Sequence, residues 1–157
     1  MNRRSVLSLS AITAFGLALL PGHAVAQQAD MQGVKAASKG FYAALSAVDN
    51  AAMEKVWAHT PYVTYVGPRA KTIAVGWDAA KKVLEAGNAI TSQRSVSLSD
   101  SHIHVNGNLA WEMGQETGQV KFKDGKETKV DYIVTNVYEK IDGRWLIVSH
   151  HVQPKPQ

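Results

Sequence analysis

Cysteine is absent from the 157 residues. That excludes a disulfide framework, a thiolate zinc site and a cysteine nucleophile together, and leaves packing alone to hold the fold. Acidic side chains are missing before Asp30, so the start of the chain carries only the positive charges of Arg3 and Arg4. The apolar run from Val6 to Leu20 is about 15 residues long and interrupted by serines, against roughly 20 needed to cross a bilayer. There is no internal repeat and no low-complexity segment, and the length suits one domain with one core.

What stands at the beginning instead is the grammar of an export signal. A basic start is followed by the apolar run, a break at Pro21-Gly22 and the small-residue pattern Ala24-Val25-Ala26, which predicts cleavage after Ala26 and a periplasmic or secreted bacterial protein. The run Asn2-Arg3-Arg4-Ser5-Val6-Leu7 resembles the twin-arginine signal, with the general secretory route as the alternative. Losing Arg3 and Arg4 takes the formal charge from +4 to +2. A nearly balanced domain lacks the basic stripe that nucleic-acid binding requires, and nothing apolar enough to hold a membrane remains after cleavage. Lys121, Lys123, Lys126 and Lys129 surround Asp124-Gly125, which reads as a solvated hairpin tip.

Apolar residues recur at helical spacing from Asp30 to Val48, and a second helix is expected from a cap at Asp49 or Asn50 to about Ala58, closed by Pro61. Tyr62 to Val66 reads as a strand, and Gly76 to Ala89 as a third helix. Four long strands follow: Ser95–Val105, Leu109–Phe122, Thr128–Lys140 and Arg144–Val152. Asn106-Gly107, Asp124-Gly125 and Asp142-Gly143 are the turns between them. Helices first and an antiparallel meander after them indicate an α+β domain over residues 27–153, with 154–157 as a frayed tail.

Three stretches, taken together, resemble known proteins. Thr135 to His151, with Asp142-Gly143 and then Trp145, is similar to the final hairpin of the SnoaL-like and DUF4440 families. His102-Ile103-His104-Val105-Asn106-Gly107 resembles a hairpin of the calcium/calmodulin-dependent kinase II association domain. Phe41-Tyr42-Ala43-Ala44-Leu45, followed by Asp49-Asn50 and Gly67-Pro68, is similar to the opening of ketosteroid isomerase. The resemblance implies the cone-like fold of the nuclear transport factor 2 superfamily, with about three helices on a curved antiparallel sheet around a pocket.

The same resemblance places Tyr42 where ketosteroid isomerases carry a tyrosine that donates to a developing oxyanion, although a core aromatic would also fit. The isomerase base should lie just before the proline, and Gly67 stands there, which argues against steroid isomerisation. Alternation puts Ala110, Glu112, Gly114 and Glu116 on one face and Trp111, Met113 and Gln115 on the other. The resemblance to the association domain implies that the first set faces the pocket, with Glu112 as a general base and Glu116 a second carboxylate roughly 13 Å along the strand; a bulge would invert the faces and make both solvated charges. Tyr132 and Asn136 share the pocket on the next strand, with Trp57 and Tyr65 as further ligand-binding candidates. Asn136 replaces an arginine of the association domain, so carboxylate recognition is not implied.

His102 and His104 point the same way on a strand, and His150 and His151 add two imidazoles. No third ligand is fixed by the sequence, so no metal and no cofactor is assigned. His151 matches the terminal histidine of the SnoaL-like pattern and is a candidate acid or base, or a satisfier of nearby backbone. Trp111, Met113 and Trp145 are expected on the outer face, where they would favour a homodimer. Two functions remain: a domain that binds or processes a small, largely apolar molecule by isomerase- or lyase-type proton transfer, or a noncatalytic homodimeric assembly domain with a vestigial pocket.

Overall fold

A computed structural model describes residues 21–155. Residues 1–20 of the expected signal, and Pro156 and Gln157, lie outside the described residues. Helix α1 (Pro21–Ala47) is followed by α2 (Asn50–Val56), the short strands β1 (Thr64–Val66) and β2 (Ala74–Val75), and α3 (Trp77–Ala89). The long strands β3 (Thr91–Asn106), β4 (Leu109–Phe122), β5 (Glu127–Ile141) and β6 (Arg144–Pro154) complete the chain. All six strands form one sheet in the order β2-β1-β6-β5-β4-β3. β1 runs parallel to β6, and every other pairing is antiparallel. This is the α+β arrangement the element order implied, three helices on an open, curved sheet.

Local chemistry explains the boundaries. Asp49 caps α2 by accepting the Ala52 N–H at 3.0 Å, as its short oxygen-bearing side chain allows. The three Asn-Gly and Asp-Gly turns fall where expected. α1 is already helical in the first described residues, so it extends well ahead of Asp30, where the helical spacing of apolar residues begins. Strand β2, two residues long, is too short for any periodicity to reveal. The expected fraying at 154 is also corrected in part: Pro154 belongs to β6, and Lys155 bridges Asp131 at 2.8 Å and the Gln115 side-chain oxygen at 2.7 Å.

The core lies between the helices and the concave face of the sheet. Val34 and Phe41 from α1, Trp57 after α2, and Tyr138 and Ile147 from β5 and β6 are almost wholly buried, each side chain contributing on the order of 1.5–3 kcal/mol. Trp145, expected outside, packs inside against α1; its indole N–H donates to Asp30 at 3.2 Å, and Gly33 leaves room for the ring. Leu109, Trp111, Met113 and Ile133 stay exposed on the convex face.

One irregularity matters for the site. β5 pairs with β6 as Val137↔Ser149 and then Tyr138↔Ile147, so Val148 is an extra residue on β6. An unbroken alternation from Trp145 and Ile147 would carry Ser149 and His151 inward. The bulge reverses the phase, so His150 and Val152 are buried and His151 is exposed, as a one-residue slip must do.

Gly118 sits where β4 approaches β3, with φ +150° and a hypothetical Cβ only 1.9 Å from the Ser95 carbonyl oxygen. Gly118→Ala is expected to cost about 3 kcal/mol or more, because rigid backbone must shift. Gly87→Ala, on α3 with open space around it, should instead stabilise by about 0.5–1 kcal/mol. Thermal unfolding of the two variants checks both signs.

Candidate functional site

Alternation along β4 does what the sequence implied: Ala110, Glu112 and Glu116 face the concave side, and both carboxylates are buried. They reach different spaces. Glu116 lines a cavity of about 480 Å³ bounded by α1, α3, the segment after β1 and all four long strands. Glu112 lines a wider groove of about 780 Å³ between α1 and β3, beside Tyr42, Lys35 and Lys39.

A continuous hydrogen-bonded chain joins them. Glu112 accepts from Ser101 at 2.6 Å, Tyr138 at 2.7 Å and the Asn136 amide at 3.3 Å. The same amide nitrogen lies 3.4 Å from the Tyr42 hydroxyl, and Tyr42 donates to Glu116 Oε1 at 2.9 Å. Since its nitrogen serves Glu112 and Tyr42, Asn136 presents its oxygen to His150 Nδ1, 2.7 Å away. That oxygen can only accept, which fixes the proton of a neutral His150 on Nδ1. The bare Nε2 then lies 4.0 Å from Glu116 Oε1.

Burial sets the proton affinities. Desolvation lifts the Glu116 carboxyl from an ordinary 4.5 up to about 7, opposed by the Tyr42 hydrogen bond. His150 moves the other way: burial, helped by the charge of His151, pushes it down to about 3, so it stays neutral. Tyr42 is raised, by burial first and by the neighbouring Glu116 charge second. Tyr65, also a cavity wall, is raised to about 12 by burial, with Glu116 adding to the effect and Arg94 and Arg69 opposing it.

Against the expectations from sequence, Glu116, Tyr65 and Tyr132 do line the cavity. Asn136 is fully buried behind it as the joint of the network. Glu112, the expected base, instead meets three donors outside this cavity, four residues before Glu116 on β4, in the groove between α1 and β3. Tyr42 directs its hydroxyl into Glu116. Trp57 is buried among Phe41, Tyr65 and Trp77 rather than in the cavity wall. His151 faces out, and His150 takes its place, for the reason of the β6 bulge. His102 and His104 lie on the outer surface, with His104 stacked on Trp111 at 4.3 Å. Among the described residues no three His, Asp or Glu side chains converge as metal ligands, and no helix is long and apolar enough to cross a membrane. The sequence reading missed Arg69 and Arg94, both cavity residues. A lone arginine carries no periodic signal of facing inward.

Several solved structures share this architecture. A candidate dehydratase of the NTF2-like family from Streptomyces avermitilis superposes with a TM-score of 0.75 at 21% identity, over 83% of this chain and 99% of that one. A candidate calcium/calmodulin-dependent protein kinase type II association domain from Thiobacillus denitrificans gives 0.66 at 24% identity, over 78% and 94%. A candidate scytalone dehydratase from Novosphingobium aromaticivorans gives 0.75 at 14% identity, over 85% and 89%. No curated protein matches the sequence. Residues 34–153 match the model of the SnoaL-like domain, a span running from the first core residue of α1 to the end of β6, and the chain therefore belongs to the SnoaL-like family.

Proposed function

We propose that this SnoaL-like domain takes a small, largely apolar organic molecule into the 480 Å³ cavity and exchanges a proton with it through Glu116. The observation that carries the reading is a buried carboxyl, lifted to about 7, in the wall of an apolar cavity. Its size is in the range of small-molecule sites, and a carboxyl poised near neutrality both takes and returns protons efficiently. The chemistry is isomerase- or lyase-type. Ionised Glu116 takes a proton from carbon next to a carbonyl, and the acid so formed returns it to another carbon or to a departing hydroxyl, which leaves as water. Tyr65 and Tyr132 are the hydroxyls placed to donate to the carbonyl oxygen, and Tyr42 is a positioning residue. That two structural relatives are named as candidate dehydratases agrees with this class of reaction.

The test is deuterium incorporation into 1-tetralone, an apolar bicyclic ketone, in heavy water. The wild-type protein should catalyse exchange next to the carbonyl at a rate rising with pH through about 7, and Glu116→Gln should lower it at least 100-fold. Exchange unaffected by Glu116→Gln returns the domain to the noncatalytic assembly reading.

The same substitution has a stability signature. Folded Glu116 holds its proton up to about 7 and the unfolded side chain only to 4.5, so the folded state binds more protons between those values and stability falls as pH rises through the window. Glu116→Gln removes that loss. The variant should match the wild type near pH 4 and exceed it by about 3 kcal/mol at pH 8, as read by denaturant unfolding at the two pH values.

The protein's setting and assembly belong to the same reading. Export with cleavage after Ala26 is supported by the exposure of Val25 to Ala29, with Asp30 the first of the following residues to pack. Intact mass measured on the protein from a bacterial periplasm should begin at Gln27. On the convex sheet, the apolar row of Leu109, Trp111, Met113 and Ile133 favours docking of a second copy. Light scattering should give a dimer at micromolar concentration that Trp111→Lys converts to a monomer; a monomeric wild type overturns it.

A further inference from the structure

The cavity is apolar over most of its wall, yet two arginines line it: Arg69, on the loop after β1, and Arg94, near the start of β3. All 13 acidic side chains of the sequence fall between Asp30 and Asp142, within the described residues, and none forms an ion pair with either arginine. Both guanidiniums therefore lack a side-chain carboxylate partner among the described residues. Removing a positive charge from water without a counter-charge is unfavourable, and burial indeed works against the charged form of Arg94.

Arg94 is partly accounted for by structure. Its Nη1 donates to the Leu45 carbonyl at 3.1 Å and to Asn88 at 2.8 Å, and its Nη2 donates to Thr91 at 3.1 Å. This clamps the ends of α1 and α3 to β3, where helix C-termini offer partial negative charge. Three of the five N–H donors of a guanidinium are thus used. The Nε–H and one Nη2–H have no partner among the described residues. Arg69 has looser ties: it is exposed, with its guanidinium 5.2 Å from the centre of the Phe122 ring.

Glu116 and Arg94 stand on adjacent strands, where Leu98 pairs with Glu116 and Arg94 with Val120. They are four residues apart along the ladder, roughly 13 Å at strand spacing. The cavity therefore has a proton-exchanging end at Glu116 and His150 and a cationic end at Arg94 and Arg69, with Tyr65 and Tyr132 in the wall as well.

We infer that the molecule this cavity takes is an organic anion: a carboxylate held by Arg94 and Arg69 at one end, with an apolar, ring-sized body extending to Glu116. The identification rests on the proton-exchange reading of the same cavity and adds the class of its substrate. A guanidinium with two unused donors offers a carboxylate hydrogen bonds as well as charge. The positive charge comes from the loop after β1 and from β3, away from Asn136 on β5.

Matched pairs of ligands test the idea by calorimetry on the mature chain: benzoate against benzamide, and 1-naphthoate against 1-naphthamide. At least one acid should bind tenfold or more tightly than its uncharged amide, and added salt should weaken the acid alone. Arg69→Gln should reduce that preference severalfold with little change in melting temperature, since the exposed Arg69 side chain makes no hydrogen bond or ion pair among the described residues and lies over the Phe122 ring. Arg94→Lys, which keeps a charge and loses the fork, should reduce it further. Equal binding of acid and amide, with exchange of 1-tetralone intact, overturns the anionic class and leaves the cavity's proton chemistry standing. No binding of any of the four up to millimolar concentration, together with no exchange, overturns both.

Discussion

The buried amide of Asn136 holds the interior of this domain in one arrangement. It is fully buried, and a buried amide left unpaired would cost on the order of 1–3 kcal/mol. Its two ends are chemically different, so satisfying one dictates the other. The nitrogen goes to Glu112 and Tyr42 and the oxygen to His150. From that single orientation follow the tautomer of His150, the direction in which Tyr42 presents its oxygen, and through Tyr42 the placement of Glu116. Such a network is worth keeping only when every member is satisfied, and here each carboxylate receives at least one hydroxyl donor.

The two glutamates show how position along one strand separates two roles. Glu112 and Glu116 point the same way, four residues apart on β4, with Gly114 between them. At Glu112 the sheet is covered by α1, and three donors converge on the carboxylate. At Glu116 the cavity begins, walled in part by Phe41 and Leu45 of the same helix; one hydroxyl, that of Tyr42, reaches the carboxylate, and desolvation dominates. Supply of hydrogen-bond donors, not depth of burial, therefore distinguishes them, since both are almost inaccessible to water. A carboxyl left with one donor in an apolar wall is the kind of group that proton-transfer sites employ. His150 beside it stays neutral for the same reason of burial, which keeps positive charge away from this end of the cavity and leaves the cationic character to Arg69 and Arg94.

Much of this was legible in the residues. Helical spacing, the Asp49 cap, the three glycine turns and the alternation of β4 needed only local chemistry, and from them came the element order, the α+β class and the common face of Glu112 and Glu116; the inward direction of that face came from the family resemblance. The motifs around Trp145 and Asn106-Gly107 pointed to the SnoaL-like fold. These features survive in sequence because they are periodic or sit within a few residues of each other.

What tertiary structure alone decided depends on residues far apart. The extra Val148 in β6 chooses His150 over His151, and a bulge is set by pairing with β5, which no pattern within β6 reveals. Trp145 turned inward because Gly33, more than a hundred residues away, makes room for it. The choice of Glu116 over Glu112 depends on which space each carboxylate faces and on donors that β3 and β5 bring to Glu112 and α1 brings to Glu116. Arg94 gained its place in the cavity from the carbonyl of Leu45 and the side chain of Asn88. The sequence by itself determined the elements and the faces of its regular strands, because those follow from periods of two and 3.6. The protonation states, the base and the charge of the cavity were left to the fold, because they are sums over neighbours that only packing brings together.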